Sequence, residues 1–161
     1  METFSNINYI QCLETLQQPE YQSVKLIVLD LDDTLTETHY KPLPQKEPDV
    51  QFGFFYVYEK TDLQNFLKTL QTQYRIGLWS ASKAAYIHKI IDNTILKEFD
   101  FEFVMTRRHC KRKYGQYGDI TYLKDLSRID GFTLQELLIV DDTPKGILPM
   151  ERCLKIGTGN G

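Results

Sequence analysis

The run Val24-Lys25-Leu26-Ile27-Val28-Leu29, followed at once by Asp30, Asp32 and Asp33, constrains this chain more than any other stretch. A short apolar run of this kind suits a strand buried on both faces of a parallel sheet. Burying the acids unpaired would be costly, so they should project from the strand end to hold a cation or do chemistry. In open α/β sheets ligands sit at the carboxyl ends of strands, where this cluster falls. Residues two apart in an extended segment point the same way, so Asp30 and Asp32 can approach one reacting group. The same spacing is also compatible with an Asp-rich turn whose acids accept backbone N–H bonds.

The run Glu136-Leu137-Leu138-Ile139-Val140-Asp141-Asp142 repeats the theme, and parallel pairing would bring its acids close to Asp30. Acids meeting there call for a hard cation with oxygen ligands, for which Mg²⁺ is the natural choice. Between these runs, Thr61-Asp62 can cap a helix through Leu63, Phe66, Leu67 and Leu70. Tyr74 to Trp79 reads as a second core strand ending in Ser80-Ala81-Ser82, with Ser82 the better cap for a helix over Lys83 to Ile91. In that helix Ala84, Ile87, His88 and Ile91 face the sheet side, with His88 on the flank and without a catalytic role. Phe101 to Met105 alternates into a third strand, and Cys153 to Ile156 suggests a last one before a Gly-rich tail.

Less regular segments lie between these elements. Residues 1–23 form an N-terminal helical extension, with Ile7, Ile10, Leu13 and Leu16 on one face and Pro19 as the stop. Residues 37–60 read as a β-rich insertion: a proline-punctuated loop from Pro42 to Pro48, then an aromatic strand from Phe52 to Tyr58. It can flank the site, or simply extend the sheet with its aromatics in the core. Arg107 to Lys113 is a cationic run around Cys110, the pattern of a solvated loop. Beside a phosphate-handling site it would attract anions. Taken alone, Tyr122 to Arg128 reads as a surface helix with an Asp125–Arg128 pair.

Composition narrows the classes. The chain has 161 residues, enough for one domain with a real core, and 42% hydrophobic against 25% charged residues is ordinary for a globular protein. A net charge of −3 argues against general nucleic-acid binding. Cys12, Cys110 and Cys153 are scattered without metal-ligand spacing and read as reduced thiols, which places the chain inside the cell, in cytoplasm or nucleus. No apolar run reaches membrane-spanning length and no signal-like segment opens the chain, so no membrane association is expected.

Leu29-Asp30-Leu31-Asp32-Asp33-Thr34-Leu35 resembles the first motif of the haloacid dehalogenase-like superfamily. The D-x-D-x-T pattern, with Lys124-Asp125-Leu126-Ser127-Arg128 later, resembles its FCP/SCP (NLI-interacting-factor-like) phosphatases, from about Val24 onward. The resemblance implies a three-layer, Rossmann-like α/β domain over residues 24–161, with a central parallel sheet and the insertion at 37–60 placed to receive substrate. It implies Asp30 as nucleophile and Asp32 as general acid and base, with Thr34 completing the motif. Ser80 and Lys124 would bind the phosphoryl oxygens, and Mg²⁺ would be held by Asp30, Asp141 and the backbone carbonyl of Asp32. Asp142 stands where many relatives carry Asn, and Arg107 matches an Arg found shortly before a Cys; both are possible site residues. Cys110 has no surrounding pattern of a cysteine phosphatase. Such domains usually continue further, so a compact variant or a shortened chain is implied. The expected protein is a monomeric Mg²⁺-dependent phosphatase working through an aspartyl-phosphate on phosphoserine or phosphothreonine of a phosphoprotein or phosphopeptide, for instance a polymerase-tail-like segment. The alternatives are a small-molecule or phosphotyrosine phosphatase, or a catalytically weak interaction module.

Overall fold

The computed structural model describes residues 7–157, so the first six residues of the N-terminal extension and the Gly-rich tail lie outside the described residues. In chain order the elements are α1 (Tyr9–Leu16), β1 (Leu26–Leu29), β2 (Thr36–His39), β3 (Val50–Phe52), β4 (Phe55–Glu59), α2 (Leu63–Gln71) and β5 (Arg75–Trp79). They continue with α3 (Ala84–Asp92), β6 (Val104–Met105), β7 (Lys111–Tyr114), β8 (Ile120–Asp125), β9 (Leu137–Asp141), β10 (Ile147–Leu148) and β11 (Cys153–Lys155), joined by short 3₁₀ turns. No helix among the described residues is long and apolar enough to cross a membrane.

β1 and β9 are apolar on both faces because both faces are covered. They lie at the heart of a five-stranded parallel sheet, order β11-β9-β1-β5-β6. Ile27, Leu29, Ile76, Leu78, Leu138 and Val140 point to one side and pack with Leu16 of α1, Leu67 and Leu70 of α2, and Ile87 and Ile90 of α3. Leu26, Val28, Leu137 and Ile139 point to the other side, where Leu126, Ile129 and Ile147 cover them. All α-helices among the described residues therefore contribute to one core, and the opposite layer is built of β8, its sheet neighbours and 3₁₀ turns. Gly77 allows that second layer to close: a Cβ there would stand 2.5 Å from the Phe103 ring.

Several local expectations are corrected. Ile10 is exposed, and Cys12 and Leu16 form the buried stripe of α1, whose Tyr9 stacks on Phe66 at 4.1 Å. Asp62 precedes α2 in a left-handed conformation (φ 67°) and makes no side-chain cap bond. Ser82 is not the cap of α3 either; Lys83 holds that position, and Ile87, Ile90 and Ile91 are buried while Ala84 is exposed. Of the stretch 101–105 only Val104–Met105 pairs regularly with β5.

The aromatic run 52–58 is a hairpin rather than one strand, turning at Gly53 (φ 57°). With β2 it forms a separate antiparallel sheet, order β2-β4-β3, instead of extending the central one. The cationic run is not a loop: Lys111–Tyr114 pairs antiparallel with Ile120–Tyr122 and Leu123, and β8 also pairs with β10. Lys124 thus sits on a strand, not a surface helix, and Asp125 accepts from Ser127 rather than pairing with Arg128.

Candidate active site

Parallel register sets the site. Leu29 lies opposite Val140, so Asp30 and Asp141 leave the sheet side by side. Asp30 is anchored by its N–H to the Val140 carbonyl at 3.0 Å. Directly beyond, the chain turns tightly: the N–H groups of Thr34, Leu35 and Thr36 all reach the Leu31 carbonyl, and Asp33 adopts φ 63°. The turn starts at Asp33, beyond an isolated bridge between Asp32 and Thr36, so Asp30 and Asp32 both face the cavity of about 300 Å³ that Ser80, Lys124, Asp141 and Asp142 also line.

The two acids of the opening motif live in different surroundings. Asp30 is 6% exposed and accepts from Lys124 Nζ at 2.7 Å on one oxygen and from Thr34 Oγ1 at 3.1 Å on the other. Asp32 turns away from Lys124: Tyr86 donates its hydroxyl to Oδ1 at 2.7 Å, and Ser82 Oγ donates to Oδ2 at 3.2 Å. The Tyr86 oxygen also meets Thr38 Oγ1 at 2.7 Å, so β2 of the insertion holds the tyrosine from behind. Burial raises the Asp32 pKa, and the Tyr86 and Ser82 hydrogen bonds oppose the rise.

Lys124 joins the two strand ends. Its Nζ lies 2.7 Å from Asp30 and 2.6 Å from Asp141, all of them buried. Burial alone would lower this lysine, but the two carboxylates override it and hold it charged, above its ordinary range. Burial pushes Asp30 up to about 6 against the pull of Lys124, and Asp141 likewise to about 6, with Asp30 adding to the push. Asp141 Oδ1 accepts the Thr143 N–H at 2.9 Å. Asp142 is half-buried beside them, raised first by burial.

Carboxylate oxygens of Asp30, Asp141 and Asp142 all come within 4.8 Å of one another. Lys124, with the half-buried Lys60 further out, thus faces three carboxylates in a largely dehydrated place, an excess of negative charge that a hard cation would offset. Oxygen-only donors and the open flank at Asp142 fit a divalent ion.

Ser80 ends β5, 1% exposed, with its N–H on the Met105 carbonyl at 3.0 Å. Its Oγ accepts the Ser82 N–H at 3.1 Å, leaving the hydroxyl proton free for an acceptor in the cavity. Arg107 does not line the cavity of Asp30, Asp141 and Asp142. Its Nε donates to the Ala81 carbonyl at 2.9 Å, and its guanidinium lies 4.7 Å over the Tyr122 ring. It lines a second, larger groove of about 770 Å³ with Asp32, Phe52, Phe55, Tyr86 and Lys89. Cys110 is buried and burial raises its thiol, so it is no nucleophile.

Ser82 and Tyr86 were not predicted for the site. Ser82 reads locally as a cap, and Tyr86 as one more aromatic of a helix. Nothing in the spacing signals that their hydroxyls converge on Asp32 from fifty residues away.

Known proteins show the family and the fold. The sequence profile of the NLI interacting factor-like phosphatases matches residues 25–156. Phosphatase Herzog of Drosophila melanogaster is 32% identical over 127 residues, covering 74% of this chain and 34% of its own. A probable C-terminal domain small phosphatase of Dictyostelium discoideum is 28% identical over 136 residues, covering 81% and 42% respectively. The chain thus spans less than half the length of these relatives. Fission yeast RNA polymerase II CTD phosphatase Fcp1, bound to beryllium fluoride, superposes with TM-score 0.64 at 15% identity, over 94% of this chain and 45% of that one. That likeness speaks for the fold, an α/β domain around a central parallel sheet. The match over most of the chain settles its kinship: it belongs to the NLI interacting factor-like phosphatase family.

Proposed function

We propose that the chain is a phosphoric monoester hydrolase that works through an aspartyl-phosphate on Asp30, with phosphoserine or phosphothreonine of proteins as substrate. The observation that carries this is the division of labour between the acids. Asp30 is tied to the buried ammonium of Lys124, while Asp32, in the same cavity, is held by neutral hydroxyls. Lys124 opposes the rise that burial imposes on Asp30 and so favours its ionised, nucleophilic form, whereas Asp32 has no ammonium on its oxygens and burial favours its protonated form against the pull of Tyr86 and Ser82.

The reaction follows. An oxygen of Asp30 attacks phosphorus in line, forming a P–O bond to Asp30 as the bond to the leaving serine or threonine oxygen breaks. Asp32 gives its proton to that oxygen. Asp32 then takes a proton from water, the resulting hydroxide attacks phosphorus, and Asp30 leaves as a carboxylate with inorganic phosphate released. Lys124 and the Ser80 hydroxyl stabilise the charge on the transferring phosphoryl oxygens. Mg²⁺, bound by Asp30, Asp141 and the backbone carbonyl of Asp32 with Asp142 beside them, would supply Lewis-acid neutralisation of the phosphoryl group. Tyr86 and Ser82 keep the Asp32 carboxyl aimed, and Thr34 does the same for Asp30.

The aromatic groove between the insertion and α3 supports a protein substrate, because it includes Asp32 and, at about 770 Å³, offers room for chain beside a phosphorylated residue. The test is a phosphopeptide panel, with p-nitrophenyl phosphate and small phosphate esters beside it, assayed with Mg²⁺ and with EDTA. Turnover of phosphopeptides that EDTA abolishes is expected. Activity on small esters alone would replace the protein substrate by a metabolite, and EDTA-resistant activity would remove the metal.

A further inference from the structure

We propose that the hairpin β7–β8 is a docking arm for an acidic segment flanking the phosphorylated residue of a protein substrate. The proposal rests on the phosphatase reading above and adds to it what the substrate looks like away from the phosphate. β7 is the outer strand of its sheet, and Lys111, Arg112 and Lys113 on it are all exposed. None of them lies within ion-pair distance of an acid among the described residues, in a chain whose net charge is −3. Adjacent like charges left unneutralised repel one another and attract an anionic partner.

Cationic edges also protect a strand from pairing with other chains. Two observations point beyond that. First, the arm carries exposed aromatics: Tyr114 is 65% and Tyr117 90% exposed, contact surface that protection against pairing does not need. Secondly, the arm grows directly out of the site. β8 runs from Ile120 at the tip to Lys124 on Asp30, and Tyr122 lines the acid cavity. Residues two apart in a strand share a face, so Lys124, Tyr122 and Ile120 do. Register places Arg112 opposite Tyr122 and Tyr114 opposite Ile120, on that same face. A row of cation and ring therefore leads from the phosphoryl position outward for about 13 Å, at about 3.3 Å per strand residue. Negative charge is in excess around Asp30, Asp141 and Asp142, so a flanking acid is better placed at the cationic arm than beside them, while Lys124 receives the phosphoryl oxygens.

The experiment uses the whole chain and the variant Arg112→Glu, whose side chain shares the face of Tyr122 and Tyr114. Substrates are p-nitrophenyl phosphate, a phosphoserine peptide with neutral flanks, and the same peptide with glutamates on either side. The acidic peptide should show kcat/KM higher by about tenfold at low salt, through KM, and the gain should fade as ionic strength rises. The variant should lose that gain and turn over p-nitrophenyl phosphate unchanged. Equal use of both peptides by the unaltered chain, or a preference that survives the variant, would overturn the proposal. Calorimetric binding of the same peptides to Asp30→Asn reads docking without turnover. A chain that binds the acidic peptide through the arm but hydrolyses nothing would thus sink the phosphatase reading and leave the docking arm standing. Loss of co-sedimentation with phosphatidylserine vesicles in the variant, with peptide binding unchanged, would reassign the arm to membranes and overturn the proposal.

Discussion

On one face of the central sheet three α-helices bury Leu16, Leu67, Leu70, Ile87 and Ile90; on the other, β8 and 3₁₀ turns bring Leu126, Ile129 and Ile147. The helical face is packed by periodic apolar stripes, and its contribution to the site is indirect: Tyr86 of α3 holds Asp32, and Tyr9 of α1 donates to the Thr34 carbonyl at 2.6 Å. The irregular face delivers Lys124 straight to Asp30 and Asp141. A regular layer stabilises through area buried, and many residue choices serve it; an irregular one can steer a single charged group to one point, at the expense of local predictability.

If the two faces differ in this way, mutations on them should separate activity from stability. The largest effect is expected where both meet. Asp30→Asn keeps the shape of the nucleophile and removes its charge, so turnover should fall by ~10³-fold or more while the chain stays folded. Residual activity within about tenfold of the unaltered chain would exclude Asp30 as nucleophile. On the helical face, Leu67→Ala should cost about 3 kcal/mol of stability in denaturant unfolding, since Leu67 is fully buried. Its kcat below the unfolding range should be unchanged; a large kcat loss would mean that this face does more than support.

Lys124→Ala tests the irregular face. Turnover should fall by ~10²-fold, the scale of deleting one strong electrostatic contact to a transition state, and tungstate affinity should drop with it. The assay should titrate Mg²⁺, and normal turnover at every concentration would remove Lys124 from the reaction. Tyr86→Phe deletes the one hydroxyl that the helices lend to Asp32. A loss of about tenfold in kcat with KM little changed is expected, the energy of one hydrogen bond to a charged group. An effect on KM alone would instead make Tyr86 part of the groove.

The smallest effect is a pH trend without divalent ions. Asp30 and Asp141 are raised from 3.8 to about 6 in the folded chain. Carboxyls that hold protons more tightly when folded favour the fold below pH ~3.8, and that contribution is lost as pH rises through about 6. Metal-free protein should therefore lose Tm relative to Asp141→Asn between pH about 4 and about 7, and Mg²⁺ should narrow the gap. A constant gap across this range would mean that Lys124 alone neutralises both acids.

The central parallel sheet and the acids at its strand ends were legible in the chain itself. Val24 to Asp33 and Leu137 to Asp142 each carry the signal within a few residues: apolar on both faces, then charged. Periodicity also read α2 correctly, because its buried residues Leu63, Phe66, Leu67 and Leu70 follow the helical repeat. The position of Lys124 was expected through its resemblance to a family motif, whereas its local sequence suggested a helix.

What tertiary structure decided is what depends on distant partners. Arg107 to Lys113 looks like a loop until Lys111–Tyr114 finds β8, because exposed charged strands have no apolar alternation to reveal them. Phe52 to Tyr58 could be one strand or two, and only pairing in a sheet of its own, with the turn at Gly53, selected two. Ser82 could cap a helix, but Lys83 holds the cap position, and the Ser82 hydroxyl donates to a carboxylate fifty residues earlier. Local sequence encodes which groups are buried and with what period. Which oxygen meets which proton is set by the packing of elements remote in the chain, and the environments of Asp30 and Asp32, two residues apart, were separated at that level.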